Sequence, residues 1–172
     1  MKDSIRSSSI GAVAAVSAVL TALAVVPAAL ANKPIRDVLP QEDAVISDQC
    51  AFPVHAHING VEIVTTFTDK AGNPIKQIVV FPGNTITLTN LDSGKSITVG
   101  GTGSFQARAE PDGSVTFKIT GQGTLPNNPF TGEPGIWYLN GGRVVVTVDA
   151  EDNVTSAELA GNMIDLCPQL AG

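Results

Sequence analysis

From Cys50 onward apolar and polar residues alternate in short runs separated by turn residues, with no sustained helical period, which predicts an all-β domain. Ile86 and Leu88 fall on one side of an alternating segment, with Thr85, Thr87 and Thr89 on the other. Val115, Phe117 and Ile119 likewise oppose Thr116, Lys118 and Thr120, and Phe105, Ala107 and Ala109 oppose Gln106, Arg108 and Glu110. Ten strands are predicted: 52–58, 61–68, 75–81, 85–91, 96–99, 104–110, 114–120, 136–139, 143–149 and 154–159. Asn59-Gly60 between the first two is the sequence signal for a two-residue hairpin. Turns this short require antiparallel neighbours, because a parallel crossover needs a dozen or more residues. The section 85–120 therefore reads as a meander, and about ten short strands should close as a barrel or fold into a two-layer sandwich.

The N-terminal pattern differs. Lys2 and Arg6 precede a run from Ile10 to Leu30 built almost wholly of Ala, Val, Leu and Ile, ending at Ala29-Leu30-Ala31. A positive start, an apolar stretch and a small-x-small site describe a secretory signal peptide over 1–31, with mature Asn32. The rival reading is an uncleaved anchor of about twenty residues; the alanine content and the cleavage pattern favour removal. The absence of an Arg-Arg pair ahead of the run points to the general export route. Residues 32–49 carry two prolines, several charges and no period, and read as an arm or linker ahead of a single β-domain over 50–172.

Composition narrows the partners. The chain carries −6, and losing Lys2, Arg6 and Asp3 with the leader takes it to −7. An acidic, aromatic-poor exported domain is repelled by nucleic acid and by anionic headgroups, so neither is expected as a partner, and a membrane is met only during export. Cys50 and Cys167 form an even pair in an exported chain and predict one disulfide joining the two ends of the domain.

Candidate chemistry is sparse. His55 and His57 share one face of a strand, and a two-residue turn at Asn59-Gly60 would set His57 opposite Glu62. His55, His57 and Glu62 would then form a His₂Glu set of the kind that holds catalytic zinc, the basis of a hydrolase or metal-dependent enzyme reading. The opposite face carries Val54, Ala56 and Ile58, so the histidines should point to solvent, and the favoured reading has no catalytic residue and no cofactor. The Pro- and Gly-rich stretch 121–135 is long for a hairpin loop, and Phe130 beside Trp137 and Tyr138 could line a ligand mouth. Asp149 to Asn153 resembles a calcium loop only superficially, lacking the glycine and final acid such a loop needs, and reads as a hairpin turn. There is no G-x-S-x-G elbow and no phosphate-binding glycine loop.

The mature chain resembles the small exported β-rich proteins of actinobacteria in Cys50-Ala51-Phe52-Pro53-Val54, the turns at 92–96 and 111–115, and Gly142-Arg143-Val144 leading to Asp165-Leu166-Cys167. The resemblance implies export and the paired cysteines, and brings no activity with it. The sequence thus predicts a secreted, extracellular, monomeric, non-enzymatic domain, either a binder of a small apolar ligand or a module associated with the cell envelope.

Overall fold

The computed structural model describes residues 33–172, and the leader expected over 1–31 lies outside them. Among the described residues eleven strands run in chain order: β1 Ile35–Pro40, β2 Ala44–Ile46, β3 Val54–Asn59, β4 Val61–Thr68, β5 Pro74–Phe81, β6 Thr85–Asn90, β7 Ser96–Gly100, β8 Gly103–Ala109, β9 Val115–Pro126, β10 Ile136–Val148 and β11 Val154–Asp165. A single helical turn, α1 Cys167–Leu170, follows them.

The strands form a seven-stranded sheet, in the order β1-β4-β5-β8-β9-β10-β11, and a four-stranded sheet, β2-β3-β6-β7. All the ladders are antiparallel. The larger sheet ends in the open edges β1 and β11, so of the two closures open to the sequence the molecule takes the sandwich-like one and not the barrel. The small sheet contributes Val54, Ala56, Ile86 and Leu88 to the core, packed with Ile136 and Tyr138 of β10 and with Leu166 and Leu170 at the C-terminal end. Cys50 is bonded to Cys167, with Cα atoms 5.5 Å apart, tying α1 to the connection between β2 and β3 of the small sheet.

The chain crosses between the sheets four times, at 41–43, at Gly60, at 82–84 and at 101–102. Two expected features yield to these crossings. Asn59-Gly60 is not a hairpin: β3 pairs with β2 and β6, and β4 with β1 and β5. Each strand pairs with one earlier and one later strand of its own layer and buries its apolar side there, and this overrides the local turn preference. The expected meander over 85–120 is likewise split, because β6 pairs with β7 and β8 with β9 while β7 and β8 lie in different sheets.

Residues 32–49, read from sequence as an arm, contain β1 and β2, which add an edge to each sheet. Pro40 closes β1, and a proline is tolerated on an edge strand where its missing N–H leaves no ladder bond unmade. The glycines at 121–123 and 141–142 do not end strands. Gly121, Gly141, Gly142 and Gly161 have φ of 93°, 77°, 120° and 130° and form a row across β9, β10 and β11, with register shifts on both sides of β10. A Cβ on Gly161 would stand 2.6 Å from the Gly141 carbonyl oxygen, so these strands bend together only where side chains are absent. The stretch 121–135 is accordingly part strand, with a loop confined to 127–135.

Candidate functional site

The two sheets part on one side to leave a cavity of about 240 Å³. Its apolar wall comes from both layers: Ile58 of β3 and Ile86 of β6 from the small sheet, Phe81, Phe105 and Ile119 of β5, β8 and β9 from the large one. The alternation of β6 aims Ile86 inward while Thr85 stays exposed, and Phe105 stands directly across from Ile119 in the β8–β9 ladder. Gly101, Gly103 and Gly123 also line the space and project nothing into it. A Cβ on Gly103 would lie 2.5 Å from the Thr120 carbonyl oxygen, so the close approach of β8 and β9 there requires glycine.

The polar part of the lining is neutral. Ser104 and Thr120 hydroxyls bond each other at 2.7 Å, and Gln41, Gln122 and Thr124 complete the wall. No acid, base or cation lines the cavity among the described residues. Asn84, only 2% exposed, also lines it and joins three of the four crossings. It lies in the β5–β6 connection; its Oδ1 accepts from the Val61 N–H at 3.3 Å, and its carbonyl accepts from the Gly101 N–H at 2.8 Å. Gly60, at φ 138°, sits with its α-carbon against this side chain and leaves no room for a Cβ.

The aromatic residues singled out from sequence are dispersed. Tyr138 is buried in the core beside the C-terminal residues, and Phe130 is 41% exposed on the 127–135 loop. Trp137 is half-buried on β10 across from Asp165 and Leu125. None of the three lines the cavity. The loop is clipped at its base by Gln49, whose Oε1 accepts from the N–H groups of Asn127 at 3.1 Å and Gly135 at 3.2 Å.

His55 and His57 lie on the outer face of β3, alternating with buried Val54 and Ala56, their side chains 35% and 56% exposed. Glu62 does not join them: it lies on β4 in the other sheet, opposite Leu39 of β1. The residue that reaches the histidines is Asp43. One carboxylate oxygen lies 2.7 Å from His57 Nδ1 and the other 3.4 Å from His55 Nε2. No group of three or more His, Cys, Asp or Glu is arranged to hold a metal among the described residues. Neither Asp43 nor Asn84 carries a sequence signal, because each meets its partners through crossings that bring distant segments together. No helix among the described residues is long and apolar enough to cross a membrane. In comparisons with protein-family models, curated proteins and solved structures, nothing matches the chain.

Proposed function

We propose that this chain is an exported binding module that holds one small, uncharged, largely apolar molecule between its two sheets. The observation that carries the reading is the interlayer cavity itself, about 240 Å³, walled by five large apolar side chains and, among the described residues, free of ionisable groups. Ligand sites are concave and mostly apolar with a few polar groups that orient the guest. An apolar cavity of about 150 Å³ already accepts a benzene ring, so this one suits one or two rings or a short branched chain. A charged guest would be buried without a counter-ion, at a cost of several kcal/mol. The lining offers no acid or base to move a proton, which favours holding a molecule over transforming it. Export is supported by the leader-like N-terminus and by the Cys50–Cys167 bond, which persists in oxidising compartments.

The test is native mass spectrometry of the protein recovered from the medium of its own source, followed by organic extraction. The expected spectrum shows a chain beginning at Asn32 carrying one neutral small molecule that is lost on denaturation. A ligand-free protein that also takes up no added naphthalene contradicts the proposal.

A further inference from the structure

We infer that the segment from Gln41 to Ile46 is a strap over the cavity and that Asp43, held by His55 and His57, is its latch. The inference rests on the cavity being a binding site. Gln41, Glu42 and Asp43 carry the chain from β1 in the large sheet to β2 in the small one, and Gln41 is part of the cavity wall. A guest entering past Gln41 must displace that residue, and with it the crossing that Gln41 begins.

The four crossings are not equally fixed. Three are bound to one another at buried Asn84, through the Val61 N–H, the Gly101 N–H and the backbone of 82–84 itself. The fourth, 41–43, is tethered to the small sheet by β2, a three-residue edge strand that among the described residues pairs only with β3. Ala44 and Val45 are exposed, Val45 at 61%, so lifting β2 uncovers apolar surface at one residue, Ile46, which packs against the edge of the core. Segments with few buried contacts and exposed ladder bonds open locally at a small fraction of the global unfolding free energy.

Asp43 is therefore a principal side-chain tether of the strap. It bridges both imidazoles, with an Nδ1–H of His57 donating to Oδ1 at 2.7 Å and His55 Nε2 standing 3.4 Å from Oδ2. The neighbouring groups on β6 do not compete for it: Thr87 and Thr89, across the ladder from His57 and His55, bond Thr98 and Ser96. Glu42 and Glu62 line an adjacent surface concavity with Leu39, Pro40 and Gln41.

The test uses the intact mature protein as wild type, Asp43→Ala and His55→Gln/His57→Gln. Amide exchange of Ala44, Val45 and Ile46 is followed by NMR, and entry and exit of naphthalene by stopped-flow fluorescence. Both variants should raise exchange about threefold at those of these amides that the β2–β3 ladder protects, the factor corresponding to a weak exposed polar contact. Naphthalene entry and exit should accelerate by the same factor, leaving Kd unchanged, and exchange at Leu139 and Val144 should stay as in wild type. Combining all three substitutions should add nothing beyond Asp43→Ala, since the groups form one latch. Faster exchange with unaltered naphthalene rates shows that the strap is not the gate, and unaltered exchange shows that Asp43 is not the latch. Failure of the ligand-free wild type to bind naphthalene removes the cavity reading, and the strap's role with it.

Discussion

Asn84 is the residue on which the sandwich turns. It is 2% exposed, it serves two backbone donors from two different crossings, and its own Nδ2 is buried with no hydrogen-bond partner among the described residues. An unpartnered buried donor costs about 1–3 kcal/mol, a cost retained here where the side chain orders two sheets against each other. Replacing Asn84 by Ala removes the acceptor for Val61 and widens the cavity, while relieving the orphaned donor. A loss of about 1–2 kcal/mol is expected, read from urea unfolding midpoints. The outward placement of His55 and His57 was legible in the alternation of β3, because period-two patterning needs no knowledge of partners. The partner itself was not legible: a hairpin register would have supplied Glu62, but the crossing at Gly60 carries Glu62 into the other sheet, and the crossing at 41–43 supplies Asp43 instead.

At the level of elements, three hairpins use one turn design. The connections β4–β5, β8–β9 and β10–β11 each place an acid where it caps the turn: Asp69 over Ala71 and Asn73, Asp112 over Ser114, Asp149 over Glu151 and Asn153. Each has a left-handed residue before its end, Gly72, Gly113 and Asp152. Asp149–Asn153 is thus a hairpin turn, as its sequence reads. Side-chain and backbone donors from Asn73 hold Asp69 below the ordinary carboxylate range, the Ser114 hydroxyl and N–H do the same for Asp112, and the Asn153 backbone and side chain for Asp149. A carboxyl whose folded pKa lies below its unfolded one adds stability above the unfolded value, and that stability fades as pH falls through the folded value. Carboxyl ¹³C shifts should therefore titrate below 3.8 at all three, with the turn amides of Asn73, Ser114 and Asn153 losing protection only under more acidic conditions. These hairpins were legible because turn chemistry and register are local. The long strands β9 and β10 were not, since Gly121 and Gly141-Gly142 read as stops, and only pairing with neighbours that bend at the same row lets the strands continue.

For the whole molecule, the all-β class and the disulfide were legible from alternation and cysteine count, while the division into two sheets depends on which strands cross. Cys50–Cys167 closes a loop of 117 residues' separation and fastens the last element to the small sheet, where Asn90 Nδ2 donates to the Leu170 carbonyl at 3.1 Å and Lys95 Nζ to that of Ala171 at 2.7 Å. Restricting the unfolded chain over such a loop contributes up to about 5 kcal/mol, so reduction should lower the urea midpoint strongly and expose α1 to exchange first. An unchanged midpoint would show that the end of the chain is fixed by packing alone.

The binding reading meets its most direct test in an NMR titration of the mature protein with naphthalene. Saturable one-to-one shifts at Ile58, Phe81, Ile86, Phe105 and Ile119, with intermolecular NOEs from both sheets, are the predicted result. Shifts centred on Phe130 and Trp137, or no saturable shift at all, would contradict it.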